Sequence, residues 1–135
     1  MAAYTFLDWE DLLRIHRNQL ELFGGQDGFV DEGVVRSAFA RAQFTAHYDS
    51  EADLAVLAAE YFYGIATTQG FSDGNKRTAL AATSAFIQKN GWDMTITDDL
   101  MYVIAISVAT GNVEKERLAR ILRDHMEEIE DPQSE

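Results

Sequence analysis

The chain has 135 residues, 47% of them hydrophobic, which suits a single globular domain over residues 1–135. A formal net charge of −12 argues against direct binding to nucleic-acid phosphates, and the absence of cysteine excludes disulfides and thiol chemistry. The amino terminus lacks a signal-peptide pattern, and no apolar run approaches the roughly 18 residues of a membrane span. We therefore expect a cytoplasmic protein without nucleic-acid or membrane partners.

Apolar residues at helical spacing predict six helices joined by short connections. The predicted helices cover, in order, about residues 9–23, 32–43, 51–68, 76–88, 98–110 and 113–126. Their expected N-terminal caps are, in the same order, Asp8, Asp31, Ser50 with Asp53, the loop before Lys76, Thr97 and Asn112. Residues 92–96 are an extended segment with at most one short strand. The fold class is therefore all-α, a compact bundle of about six helices.

The sequence predicts no functional role for two histidines and the carboxyl-terminal tail. His16 falls on the apolar face of the first helix without a carboxylate at helical spacing, and we interpret it as a half-buried structural histidine. His47 lies in the connector over residues 44–50 and is interpreted as a solvated loop residue. The acidic tail, about residues 127–135, is expected to be frayed and to do no more than raise solubility.

A polar loop lies between the third and fourth predicted helices, in the stretch Gln69-Gly-Phe-Ser-Asp-Gly-Asn-Lys-Arg-Thr78. The first amides of a helix lack backbone partners and carry the positive end of its dipole, so they favour a bound phosphate. Cations in that turn oppose the dipole by a few tenths of a kcal/mol to about 1 kcal/mol, which indicates that an anion sits beside them. The predicted phosphate-binding residues are Gly74, Asn75, Lys76, Arg77 and Thr78.

The alternative is that the two cations of this loop are ordinary solvated charges and that Gly70 and Gly74 are ordinary turn glycines. However, a carboxylate, an amide, two cations and a hydroxyl follow one another within six residues at a helix entrance. That concentration of polar groups favours a functional site.

The same stretch resembles the signature of the Fic/Doc family, whose usual form is His-x-Phe-x-Asp/Glu/Asn-Gly/Ala-Asn-Lys/Gly-Arg. Lys76 stands where most Fic proteins have glycine, which places the chain with the Doc (death-on-curing) branch. The likeness extends from about Tyr4 to about His125 and includes Gly24-Gly25, Gly28, Asp31, Ala38–Gln43, Asn90-Gly91 and Ala109–Asn112.

This resemblance implies a small all-α fold that transfers a group from ATP, with Mg²⁺, to a protein hydroxyl. Most Fic proteins transfer the nucleotidyl group, whereas the Doc toxin phosphorylates a threonine of elongation factor Tu and halts translation. It also implies an antitoxin partner whose C-terminal segment folds against the toxin. We expect a Doc-like toxin; the alternatives are an AMP transferase and a non-catalytic protein that binds a nucleotide or a partner.

The resemblance also assigns roles to the residues of the loop by position. Phe71 would be the buried anchor of the loop, and Asp73 would hold Mg²⁺, a cation that prefers carboxylate and phosphate oxygens. Asn75, Lys76 and Arg77 would bind phosphate oxygens and stabilise the charge that phosphoryl transfer develops.

Gln69 departs from the family signature, because it replaces the histidine that accepts the proton of the target hydroxyl. An amide can orient a hydroxyl but cannot take up a proton near neutral pH. General base catalysis is typically worth about 10²–10⁴ in rate, so we expect this form to be weak or inactive, with residual phosphoryl transfer through a loose transition state. Gln69 is either natural, in an altered member, or a substitution that allows a toxin to be produced.

Overall fold

The computed structural model describes residues 3–130, which form six α-helices and a two-stranded antiparallel sheet. The helices are α1 (Trp9–Phe23), α2 (Glu32–Tyr48), α3 (Leu54–Thr68), α4 (Asn75–Lys89), α5 (Asp98–Ala109) and α6 (Lys115–Asp124). The strands are β1 (Trp92–Met94) and β2 (Met126–Glu128), paired with Trp92 opposite Glu128. The predicted all-α class is confirmed. No helix in residues 3–130 has the combined length and apolar character that crossing a membrane requires.

Helix α3 lies at the centre of the bundle, since ten of its 15 residues are buried. It packs against α2, α4, α5 and α6, and α4 packs in turn against α1, α3, α5 and β1. Small residues line this packing, among them Ala58 and Ala59 on α3 and Ala79 and Ala82 on α4, and all four are buried. The polar loop therefore joins two helices that are fixed on several sides.

Helix α1 begins at the predicted cap with a reciprocal pair of hydrogen bonds. The Asp11 amide donates to the Asp8 carboxylate at 2.8 Å, and the Asp8 amide donates to the Asp11 carboxylate at 3.0 Å. Arg14 also donates to Asp11, at 2.7 Å. The bond from the Asp8 backbone, and after it the bond from Arg14, lower the pKa of Asp11 to about 2. The charged form of this carboxylate therefore stabilises the folded state.

The pH dependence of stability tests this cap. A folded-state pKa of about 2, against 3.8 for a free carboxyl, gives stability that is present above pH 4 and is lost as the pH falls towards 2. We expect Asp11→Asn to lower the melting temperature at pH 7 and to match the parent near pH 2. Glu10→Gln, an exposed neighbour in the same turn, is the control and should leave the curve unchanged. A constant deficit of Asp11→Asn across this range would contradict the argument.

Helix α2 is longer than predicted, and His47 is consequently helical rather than part of a connector. The helix ends only at Tyr48, and the amide of Asp49 still donates to the carbonyl of Thr45 at 2.8 Å. Residues 44–48 contain neither glycine nor proline, so intrahelical bonding continues although Phe44 and Tyr48 face solvent. The side chain of His47 is exposed, as expected.

Two predicted helix starts were also wrong. The N-cap of α3 is Asp53, whose carboxylate accepts from the Val56 amide at 3.0 Å, and not Ser50. Helix α6 begins at Lys115, because the amides of Asn112 and Val113 both donate to the Ser107 carbonyl, at 2.8 and 3.2 Å, and so complete the end of α5. The predicted cap Thr97 of α5 is confirmed.

The tail was expected to be frayed from Glu127, and its first residues are ordered instead. Strand β2 pairs with β1, and the amide of Ile129 donates to the carbonyl of Gly91 at 2.8 Å. Strand β1 lies within the predicted extended segment. Residues 131–135 of the tail lie outside the described part of the chain.

Candidate active site at the loop between α3 and α4

The loop leaves α3 through a strained residue, Gln69. Its backbone has φ 52 and ψ 42, and it is the single non-glycine residue with positive φ in the described part of the chain. A left-handed conformation costs roughly 1–2 kcal/mol for most residues, and such strain clusters at functional sites. Histidine and asparagine are among the residues enriched in this region of backbone space. Gln69 is exposed, so this turn presents its side chain at the surface.

Phe71 fixes the middle of the loop to the protein interior. It is 1% exposed, and its ring stacks on His16 at a centroid distance of 3.8 Å and on Phe29 at 5.2 Å. Phe29 stacks in turn on Trp9 of α1. Such aromatic pairs are each worth about 0.5–1.5 kcal/mol beyond the area they bury, so this row of rings holds the loop in place.

Asn75 closes the loop on itself. Its side-chain oxygen accepts from the Phe71 amide and its side-chain nitrogen donates to the Phe71 carbonyl, both at 3.0 Å. Both polar atoms are thus engaged within the loop. The side chain of Asn75 therefore shapes the loop, and its backbone amide is what remains for a phosphate.

The chain between α1 and α2 braces the loop from outside. The amides of Val30 and Asp31 donate to the Gly70 carbonyl at 2.8 and 3.0 Å, and the Ser72 amide donates to Gly28 at 2.9 Å. A Cβ atom on Gly70 would lie 2.5 Å from the side chain of Val35 and 2.9 Å from the Asp31 carbonyl oxygen. Glycine is therefore required at position 70 for this close approach.

Asp73 is positioned by two residues that precede α2 in the chain. Its carboxylate accepts from the Gln26 amide at 2.7 Å, and its carbonyl oxygen lies 2.9 Å from Nε2 of His16. Since a carbonyl only accepts, Nε2 carries the proton in this bond. Asp73 itself is exposed. Its carboxylate is oriented and remains accessible.

His16 was interpreted from the sequence as a half-buried structural histidine, and that interpretation was wrong in its burial and incomplete in its role. The side chain is 2% exposed and supports both Phe71 and Asp73. The two partners lie more than 50 positions away in the chain, so helical spacing carried no signal of them. The one feature of the sequence that could have indicated this role is a histidine on an apolar helix face in a chain that also has a polar loop at a helix start.

The amino terminus of α4 is open. Gly74 is the N-cap with φ 81, and no side chain of residues 3–130 caps the helix. The first bond of the helical ladder runs from the Thr78 amide to the Gly74 carbonyl at 2.8 Å. Lys76, half-buried in the first turn, has no ion-pair partner within the same residues. Free amides and a cation thus follow Asp73 directly in the chain, and uncapped helix amides favour a bound anion.

The structure does not bring all the predicted site residues together. The guanidinium of Arg77 lies over the rings of Phe23, at 3.8 Å, and Tyr102, at 4.0 Å, beside a groove between α1 and α4. Thr78 is fully buried, and its hydroxyl has no hydrogen-bond partner in the described chain. Its side chain therefore lies in the core rather than at the open helix end.

The donors present suit a cation that is shared with a phosphate. The described residues contain no group of three or more His, Cys, Asp or Glu that could enclose a metal ion. Mg²⁺ commonly binds through one or two carboxylates together with substrate phosphates and water, and Asp73 supplies one oriented carboxylate beside the anion-binding amides. The loop therefore presents the groups that a phosphate with a divalent cation would need.

Comparison with known proteins places the chain in a family. The family model of the Fic/DOC family matches residues 6–87, and the chain therefore belongs to the Fic/Doc family. The chain is 30% identical over 114 residues to "Protein kinase doc" of Escherichia phage P1, an alignment that covers 84% of this chain and 90% of that protein. It is 35% identical over 107 residues to "Toxin Doc" of Mycolicibacterium smegmatis, covering 74% and 80%. The similarity to Doc toxins supports the expectation that this chain is a Doc-like toxin.

The support that His16 gives the loop is testable by substitution. His16→Phe keeps an aromatic ring against Phe71 but removes the hydrogen bond to the Asp73 carbonyl. We expect the free energy of unfolding in urea to fall by about 1–2 kcal/mol, the range for losing such a bond at a buried site. The same change at the exposed His47 is the control and should stay within about 0.5 kcal/mol. Equal effects of the two substitutions would refute the positioning role.

Proposed function

We propose that this chain is the toxin of a toxin–antitoxin pair, a phosphotransferase that acts on a hydroxyl of a translation protein similar to elongation factor Tu. ATP and Mg²⁺ are the proposed cofactors, and the cytoplasm is the proposed location because translation takes place there. Membership of the Fic/Doc family and the kinase name of the phage P1 relative support this proposal. A cognate antitoxin is the proposed partner, as for the Doc toxins that the chain resembles.

The observation that carries the proposal is the uncapped amino terminus of α4, which begins directly after Asp73 and Gly74 in the chain. In this proposal the amides of the first turn and Lys76 take the charge of the phosphates, and Asp73 holds Mg²⁺. The target oxygen forms a bond to the γ-phosphorus while the bond from that phosphorus to the β–γ bridging oxygen breaks, and ADP leaves. Positioning and charge stabilisation dominate the catalysis of this step, and a rigid loop supplies both.

Two predicted phosphate ligands take other roles within this proposal. Asn75 acts through its backbone amide, because its side chain is bonded to Phe71. The hydroxyl of Thr78 is buried, so in this proposal it does not bind phosphate. Arg77 reaches a phosphate only if its guanidinium leaves the rings of Phe23 and Tyr102, so Lys76 is the principal cation for the bound nucleotide.

Gln69 supplies a second candidate function. The proton of the target hydroxyl needs an acceptor, and the amide of Gln69 cannot serve as one. Its exposed, left-handed position is nevertheless compatible with the family's histidine. The same observation therefore favours either a toxin whose base has been replaced or a protein that binds nucleotide or partner without catalysis.

A transfer assay separates these functions. The parent and Gln69→His are incubated with Mg²⁺, a bacterial translation extract and ATP labelled in the α or the γ position. We expect Gln69→His to label a protein from γ-phosphate about 10²–10⁴ times faster than the parent, the usual worth of a general base.

Gln69→Asn is the matched control for this assay, because asparagine also adopts the left-handed conformation but accepts no proton. It should behave like the parent. Label from α-phosphate would replace the kinase assignment with nucleotidyl transfer. No transfer of either label by Gln69→His, with nucleotide still bound, would leave only the binding function.

The role of Asp73 is testable without catalysis. Asp73→Asn keeps an oxygen for the Gln26 amide but removes the charge that attracts Mg²⁺. We expect the affinity for ATP, measured by calorimetry, to fall at least tenfold in the presence of Mg²⁺ and to change little in EDTA. Asp124→Asn on α6 is the control for net charge. Equal losses with and without Mg²⁺ would show that Asp73 acts on the loop rather than on the cation.

A further inference from the structure

Arg77 is held by two aromatic rings that belong to neither the loop nor α4. Its guanidinium carbon lies 3.8 Å from the ring centre of Phe23, the last residue of α1, and 4.0 Å from that of Tyr102 on α5. Both distances are well within the roughly 6 Å over which a cation interacts with an aromatic face. We call the set of Phe23, Arg77 and Tyr102 the arginine clamp.

The arginine clamp lies at the edge of the candidate active site, because the end of α1 packs on the loop. A Cβ atom on Gly25 would lie 2.9 Å from Cβ of Asp73, and a Cβ atom on Gly74 would lie 3.4 Å from the side chain of Leu20. Phe23 comes between Leu20 and Gly25 in the chain. The rings therefore hold a cation from the first turn of α4 beside the loop that the helix begins from.

No polar partner within residues 3–130 keeps Arg77 in the arginine clamp. The arginine side chains that donate hydrogen bonds there are those of Arg14, Arg36 and Arg123. Asp98 lines the same groove as Arg77, but the two form no ion pair. The N–H donors of the guanidinium thus remain available to an anion.

Two helix dipoles act on the charge of Arg77 in opposite directions. The first turn of α4 contains no acidic residue and holds Lys76 as a second cation, so a positive charge at that helix end is disfavoured. Helix α1 ends at Phe23 and has no basic residue in its last turn, and a cation beside such an end is stabilised. The arginine clamp is therefore the favoured place for Arg77 while no anion occupies the start of α4.

We propose that Phe23 and Tyr102 are positioning residues that keep Arg77 away from the start of α4 until the phosphates of a nucleotide bind there. Bound phosphates remove the repulsion and accept charge-assisted, often bidentate hydrogen bonds from a guanidinium, which draw Arg77 out of the rings. The rings and the phosphates compete for one side chain, so a closed clamp lowers the apparent affinity for the nucleotide. This inference rests on the proposed phosphate site and not on the transfer of a phosphoryl group.

Calorimetric titration of the full chain with inorganic tripolyphosphate, and with ATP and Mg²⁺, tests the arginine clamp. We expect Phe23→Leu to bind both ligands about two- to fivefold more tightly than the parent, the factor that corresponds to one cation–π contact at an exposed site. Tyr102→Leu should also tighten binding, whereas Tyr102→Phe retains a ring and should stay close to the parent.

Phe44→Leu on α2 is the matched control. Phe44 is 58% exposed, against 56% for Phe23, and no cation lies over its ring within residues 3–130. This variant should bind both ligands like the parent.

Arg77→Gln shows whether the rings act through the guanidinium. It should weaken the binding of tripolyphosphate at least threefold, and Phe23→Leu added to it should change nothing further. The release itself is visible by nuclear magnetic resonance. In the free protein the Hε signal of Arg77 should lie upfield because of the ring currents, and it should move downfield as tripolyphosphate saturates the site.

The proposal is overturned if Phe23→Leu binds tripolyphosphate no more tightly than the parent, if its effect persists beside Arg77→Gln, or if the Hε signal stays upfield at saturation. It is overturned as well if neither the parent nor any variant binds tripolyphosphate or ATP. Binding that changes as expected, without label transfer by Gln69→His, would uphold the arginine clamp and overturn the phosphotransferase function.

Discussion

The row of stacked rings formed by His16, Phe71 and Phe29 is the interaction on which the candidate active site depends. The stack buries Phe71, at the centre of the polar loop, so that it is only 1% exposed. Asp73, two residues further on, remains exposed to solvent. A loop of this composition would otherwise be mobile, because its polar groups are satisfied by water and its glycines cost entropy to order. The stack and the two hydrogen bonds of the Asn75 side chain hold the loop in one conformation, as the proposed phosphate chemistry would require.

The same rigidity bears on how an acidic protein could bind the proposed phosphate. The chain has a formal net charge of −12, yet the site does not depend on its overall field. The first amides of α4 have no side-chain cap, and the helix dipole acts over the first turn only. Asp73, oriented by the Gln26 amide, is the carboxylate that we propose for the cation. An anion at this loop would therefore be bound by local, ordered groups and not by the overall charge of the protein.

Much of the fold was predictable because its signals are local. Asp8 and Thr97 cap helices where expected, and the apolar spacing of α3 and α4 matches their burial. Boundaries failed where tertiary or terminal contacts decide: α2 continues past its last buried turn, and residues 112–113 bond back to Ser107 instead of starting α6. Strand β2 forms by pairing with the edge of β1, and the local sequence of Met126–Glu128 does not predict this pairing.

The sequence by itself determined the helix-entry loop, its position between α3 and α4, and the polar groups Asp73 and Lys76, because all of these follow from neighbours within a few residues. Only the tertiary structure showed that His16 supports the loop, that Asn75 is bonded to Phe71, that Thr78 is buried, and that Arg77 rests between two rings. Apart from the Asn75 bond, which spans four positions within the loop, those facts depend on how the helices pack around α4. Packing brings together residues far apart in the chain, and periodicity along one helix contains no information about the partner it will meet.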